Sequence, residues 1–177
     1  MNTSHYPTLT TQQVIEKRTL CVLVDNEPGV LARIAGMFSG RGYNIESLTV
    51  SETEHEKHLS RITIVTSGTA SVLNQIEAQL DRLVPVHKVV NLTAKPSIER
   101  ELALVKVRGK GEHRMEALRL ATAFGAKPVD ATLDSFVFEL SGPSEDVERF
   151  INLMADIGLV EVSRTGVAAI ARGNEGL

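Results

Sequence analysis

The segment Asp25-Asn26-Glu27-Pro28-Gly29-Val30-Leu31 joins the end of an apolar run to the start of a helical pattern. Its residue types suit the head group of a small zwitterion. Pro28 and Gly29 punctuate a tight turn. A helix that starts behind such a turn offers unpaired N–H groups and the positive end of its dipole, which favour a carboxylate. Gly29 lets a ligand approach the backbone with no Cβ in the way. Asn26 adds a neutral amide, whose oxygen can accept from an ammonium group and whose NH₂ can donate to a carboxylate. Asn44, just after Arg41-Gly42-Tyr43, is a second such amide, and Val30, Leu31 and Ile45 could receive an aliphatic side chain. A wall of that kind separates side chains differing by one CH₂ only modestly, at about 0.8 kcal/mol per group. On residue types alone a plainer reading stays open, in which Asn26 caps a helix and Pro28-Gly29 merely turn the chain.

Other residues with chemical potential are less specific. Glu52, Glu54, His55, Glu56 and His58 cluster in one short stretch, but His-x-x-His in a hairpin loop reads as solvated surface before it reads as a metal site. Arg108-Gly109-Lys110-Gly111-Glu112 has neither a third glycine nor a Walker Lys-Ser pair, and reads as a strand-to-helix turn. Cys21 lies in an apolar run with Arg18 as the cation of its own strand, so a packed thiol is expected rather than a nucleophile. Ser141-Gly142-Pro143-Ser144-Glu145-Asp146 reads as a helix start with acidic first-turn residues. No Ser/His/Asp, paired-carboxylate or metal-ligand constellation stands out, in agreement with a chain that is not itself an enzyme.

The elements around these residues follow from periodicity. Thr19 to Val24 is an apolar run stopped by Asp25, a buried strand. Val30, Leu31, Ile34, Ala35 and Phe38 fall at helical spacing, ending near Gly40 or Gly42. Tyr43–Thr53 and Leu59–Thr66 read as strands. Val72, Leu73, Ile76, Leu80 and Leu83 mark a second helix, and Val86–Leu92 a further strand. After Ala94-Lys95-Pro96-Ser97 the order repeats, with a strand over 102–108, a helix over 114–124 and strands over 127–132 and 135–140. Val147, Phe150, Ile151, Met154 and Ile157 then give the clearest helical stripe of the chain, and 159–163 a closing strand.

This is an α+β chain with two successive ferredoxin-like β-α-β-β-α-β units. The expected organisation is a flexible arm over 1–17, a first domain over 18–93, a linker over 94–97, a second domain over 98–172 and a tail over 173–177. A sheet with helices on one face leaves its other face and its edges open. Pairing of two copies through the first domain is therefore expected, which would bring Asn44 of one chain near the 25–29 loop of the other.

Composition bounds the partners. A net charge of −3, with 42% hydrophobic and 23% charged residues, gives no electrostatic reason to expect nucleic acid. One cysteine excludes a disulfide within the chain and suits a reducing cytoplasm. No apolar run approaches the roughly 18 residues of a membrane span, and Met1 to Lys17 lacks the basic and apolar regions of a signal peptide.

Asp25 to Ile34, read as Asp-Asn-Glu-Pro-Gly-Val-Leu-Ala-Arg-Ile, resembles the signature of ACT domains, small-molecule-sensing β-α-β-β-α-β modules. Phe38-Ser39-Gly40-Arg41-Gly42-Tyr43-Asn44-Ile45-Glu46-Ser47-Leu48-Thr49-Val50, followed by Leu59-Ser60-Arg61, is similar to the small subunits of acetolactate synthase in particular. Glu99–Val107 and Arg164-Thr165-Gly166-Val167 resemble that family's second domain, so the likeness runs from about residue 18 to 172. The resemblance implies a non-catalytic regulatory subunit that binds and activates a catalytic large subunit. It also implies feedback inhibition by valine, or by leucine or isoleucine, in branched-chain amino acid biosynthesis. It places thiamine diphosphate, Mg²⁺ and FAD on that catalytic partner and no cofactor on this chain. The effector is expected between two ACT domains, with Asn26, Gly29, Val30 and Leu31 from one chain and Asn44 and Ile45 from the other. A free-standing ACT-domain sensor acting on another metabolic or transcriptional partner is the alternative.

Overall fold

In the computed structural model, which describes residues 14–54, 58–174 and 176, the first unit is built on β1 (Glu16–Asp25). Its residues Leu20, Cys21, Val22 and Val24 are all essentially inaccessible. They lie on a central strand, because the sheet order is β2 (Ser47–Glu54), β3 (Leu59–Gly68), β1, β4 (Val86–Asn91), all antiparallel. Two helices, α1 (Val30–Ser39) and α2 (Ala70–Asp81), cover one face. Leu20, Val22 and Val24 meet Ile34, Phe38, Leu73, Ile76 and Leu80 there in an aliphatic core. The side chains of one strand alternate between faces, so Cys21 points the other way.

The second unit repeats the plan. A sheet of order β6 (Lys127–Ala131), β7 (Ser135–Gly142), β5 (Ser97–Arg108), β8 (Leu159–Arg164) carries α3 (Gly111–Phe124) and α4 (Ser144–Ile157) on one face. Val147, Phe150, Met154 and Ile157 of α4 insert between Val105, Val107, Phe136 and Phe138. Four of the five phenylalanines sit here, with Phe150 in ring contact with both Phe124 and Phe138. The α3 stripe is weak because only Ala117 and Ala121 are buried on it.

The elements differ from the sequence expectation at three points, one of them the start of β5, which lies at Ser97 and not at 102. The strand expected from Tyr43 begins only at Ser47. The Tyr43 amide returns to Phe38 O at 3.0 Å, and the Asn44 carbonyl accepts from the Thr66 hydroxyl at 2.6 Å, so neither enters the ladder. A ninth strand, β9 (Ala168–Ala171), pairs with the first four residues of β5, from Ser97↔Ala171 to Arg100↔Ala168. The ribbon they form covers part of the first sheet's expected open face. Val167 and Ala169 pack there on Cys21, Val65 and Leu92. Residues 1–13 of the expected arm, with His55 and Glu56 of the acidic loop and the side chain of Glu54, lie outside the described residues.

Gly158 ends α4 and turns the chain into β8. Its φ is +142°, and a Cβ placed on it would stand 2.3 Å from the Arg108 carbonyl oxygen. The same residues share a hydrogen bond, Arg108 N–H to Gly158 O at 2.8 Å, so neither can withdraw freely. Gly158→Ala is expected to destabilise the fold by about 2–5 kcal/mol, read as a lower denaturant midpoint at unchanged slope. A variant within a few tenths of the parent would contradict the close approach.

Candidate functional site

The loop between β1 and α1 is held from two sides. The Asp25 amide donates to Pro85 O at 2.9 Å, and the Asp25 carboxylate meets His87 Nε2 at 2.6 Å, tying it to the start of β4. The Asn26 amide donates to His58 O at 2.7 Å, tying it to the β2–β3 hairpin. The Asn26 side chain is exposed between these anchors. It does not cap the helix.

The N-cap of α1 is Gly29, at φ +91° and ψ −8°, a left-handed conformation that glycine adopts without strain. Among the described residues no side chain caps this helix, and no acidic residue lies in its first turn. The other helix starts differ. The Thr69 hydroxyl accepts from Val72 N–H at α2, Glu112 stands in the first turn of α3, and Glu145 and Asp146 in that of α4. At α1 the amides of Leu31 and Ala32 precede any intrahelical acceptor, so they face outward beside the dipole's positive end. A Cβ built on Gly29 meets nothing within 4 Å. The α1 start is open to an anionic head group.

Of the aliphatic candidates, Leu31 is 43% exposed at this end, while Val30 is 5% exposed and packs into the first core. Val30 therefore sets the helix against the sheet, and Leu31 offers the apolar surface. Ile45 is half-buried against the same core at the other end of the sheet, and Asn44 beside it is exposed. The two halves do not meet within one chain. Asp25 stands opposite Leu59 on β3, whereas Thr66, which holds the Asn44 carbonyl, stands opposite Arg18. Seven residues of strand separate them, about 23 Å at 3.3 Å per residue. Both outer strands of this sheet, β2 and β4, have a single neighbour.

The Cys21 thiol is buried, and burial pushes its pKa up; Arg61, on the neighbouring strand, pulls the other way. The sequence pointed to Arg18 as the nearby cation, but the partner is Arg61, brought close by the β1–β3 register. The thiol remains a packing group. Among the described residues no group of three or more His, Cys, Asp and Glu side chains is arranged to hold a metal ion, and no helix is long and apolar enough to cross a membrane.

Sequence reasoning missed the seam between the two units. A cleft of about 480 Å³ lies there, lined by Lys17, Glu46, Ser47, Glu101, Arg164 and Gly166 among others. Arg164 bridges the buried Glu101 carboxylate and Glu148, and Lys17 meets Glu46 at 2.6 Å. The Val167 amide donates to Ser47 Oγ at 2.8 Å, and Arg61 donates to the Ala169 carbonyl. The only sequence signal for this seam was the apolar residue on both faces of β1.

Two family profiles match the chain: one described as an AHAS small subunit-like ACT domain over residues 20–88, the other as the small subunit of acetolactate synthase over residues 100–173. A probable acetolactate synthase small subunit of Archaeoglobus fulgidus is 47% identical over 159 residues, 90% of this chain and 99% of the relative. The acetolactate synthase small subunit of Haemophilus influenzae is 46% identical over 162 residues, 91% of this chain and 99% of the relative. Among solved structures, that of the acetolactate synthase small subunit from Thermotoga maritima superposes with a TM-score of 0.78 at 37% identity, covering 90% of this chain and 99% of that one.

The Lys17–Glu46 pair makes a prediction about pH. The hydrogen bond from Lys17, helped by one from Ser67, holds the Glu46 carboxyl below the ordinary glutamate range. A depressed folded-state pKa contributes stability above the unfolded value, near 4.3, and that contribution is lost as pH falls through the lower folded value. Lys17→Met should raise the Glu46 titration midpoint, followed by carboxyl NMR. With both groups partly exposed, it should cost less than about 1 kcal/mol at neutral pH.

Proposed function

The chain belongs to the acetolactate synthase small-subunit family, and on that premise we propose that it is the non-catalytic regulatory subunit of an acetolactate synthase. In this reading it binds the catalytic large subunit, raises its activity, and confers feedback inhibition by valine or a close relative. The thiamine diphosphate, Mg²⁺ and FAD of the reaction belong to the large subunit. The observation that carries the effector site is the uncapped start of α1 behind left-handed Gly29. The ligand carboxylate would take the Leu31 and Ala32 amides, Asn26 would hold the ammonium group, and Leu31 would line the side chain.

Asn44 and Ile45 stand at the far end of the same sheet, so one chain carries two unlike half-sites. Pairing two first domains around a two-fold axis joins the Asn26 half of each to the Asn44 half of the other, giving two equivalent sites. The open outer strands of the first sheet suit that pairing. Asn26 and Asn44 are both neutral amides, so discrimination among aliphatic ligands would rest on the apolar wall.

Two experiments test this. Reconstituting the chain with its large subunit should raise acetolactate formation, and valine should lower it again. Activity that is indifferent to the chain, or to valine, leucine and isoleucine alike, removes the proposal. The shared site has a sharper signature. Asn26→Ala and Asn44→Ala homodimers should each lose calorimetric valine binding. Mixed and re-equilibrated, they should recover about a quarter of the wild-type sites, because half the dimers are hybrids and each hybrid has one intact site. Recovery of none would place both asparagines in one chain's site, or the site elsewhere.

A further inference from the structure

Ser47 opens β2, three residues after Asn44, and its hydroxyl accepts from the Val167 amide of the second unit at 2.8 Å. Gly166 precedes that amide at φ +83°. A Cβ on it would stand 2.7 Å from Ser47 Oγ and 2.9 Å from Thr49 Oγ1. The backbone of 166–167 is therefore pressed directly on β2, closer than any side chain would allow. Thr49 Oγ1 is buried there with no hydrogen-bond partner among the described residues, so Ser47 alone makes the polar contact.

β2 is an outer strand, and β3 is its one ladder neighbour. The segment ahead of it reaches the rest of the first unit through the Thr66 hydroxyl on Asn44 O, the Glu46 amide on Val65 O at 2.8 Å and the Lys17–Glu46 ion pair. A ligand that draws Asn44 and Ile45 toward a partner chain moves Ser47 with them, since only Glu46 lies between Ile45 and the start of β2. The second unit cannot ignore that movement. Val167 and Ala169 are seated in the same core as Cys21, Val65 and Leu92, and Thr165 is tied to Leu102 through its amide and hydroxyl. A shift of 166–167 is thus passed to β5, which runs through the whole second sheet.

We propose that Ser47 and Gly166 form the mechanical joint between the effector half-site and the second unit, Ser47 acting as a positioning residue that couples occupancy to the client enzyme without touching the effector. This rests on the regulatory reading above, and deepens it by naming the residues through which regulation passes. The joint is contiguous and packed, as energetic coupling through a protein requires. It predicts a separation of properties that a purely structural role would not give.

Ser47→Ala removes the acceptor, and Gly166→Ala pushes the 166–167 backbone off β2. Three quantities are to be measured for each: valine binding by calorimetry on the chain alone, activation of the large subunit without valine, and the drop in activity on adding saturating valine. Binding and activation should stay within about twofold of wild type, while the ratio of activities without and with valine should fall by roughly 3- to 30-fold. In the wild-type chain, valine should also change amide hydrogen exchange in the peptide spanning 164–171; in Ser47→Ala that change should vanish.

Variants that remain as valine-sensitive as wild type, or wild-type exchange at 164–171 that ignores valine, would overturn the joint while leaving the regulatory reading standing. Loss of valine binding in Ser47→Ala would equally overturn it, since the residue would then serve the site itself. A wild-type complex that valine does not inhibit overturns both. Exchange is read on the folded chain, so poor folding of Gly166→Ala does not blunt the test.

Discussion

Burial of β1 on both faces is the constraint from which the architecture follows. A strand with helices on one face and water on the other alternates apolar and polar residues. Leu20-Cys21-Val22 does not alternate, and all three residues are inaccessible. Something other than the two helices must therefore cover the Cys21 face, and the cover is β9 with Val167 and Ala169. Val65, Leu92 and Val167 leave water only because the two units meet, each worth roughly 1.5–3 kcal/mol. The seam is a small core in its own right, with Arg61 and Ser47 spending their polar groups on the backbone of the arriving segment.

The order of elements was legible in the sequence, and so were most of their ends, because helices with buried stripes such as Val147, Phe150, Met154 and Ile157 announce themselves by spacing. The start of β2 was not. Tyr43 and Ile45 have strand-like character, yet local turns and the Thr66 hydroxyl take the backbone groups that a ladder would need. β9 escaped for a different reason. Ala168-Ala169-Ile170-Ala171 is short, with alanine on its buried positions, so its burial pattern carries almost no hydrophobic signal. Arg61 beside Cys21 is a matter of register between strands forty residues apart, which no local pattern encodes.

At the candidate site, residue types suggested a head-group receptor, and the structure adds how the residues are placed. Asn26 and Pro28-Gly29 could equally have been a cap and a turn. The geometry decides against the cap, because Gly29 itself holds that place and leaves the helix start open. Val30 and Leu31 are neighbours in sequence with opposite fates, one locked in the core and the other turned outward. The distance between Asn26 and Asn44 is a consequence of antiparallel topology: the chain reaches the second asparagine only after α1 has carried it back along the sheet.

β5 serves two ladders at once. Its first four residues pair with β9 over the first sheet, and its last eight pair with β7 and β8 in the second. The protein is therefore less modular than its repeated order suggests. A cut near residue 95 would not yield two tidy pieces, since the first would show Cys21, Val65 and Leu92 to water. Exchange of halves between relatives carries the same condition. The incoming second half brings its own β9, and that strand must fit a seat made by the other parent, so residues at the seat and on the strand are expected to change together over evolution.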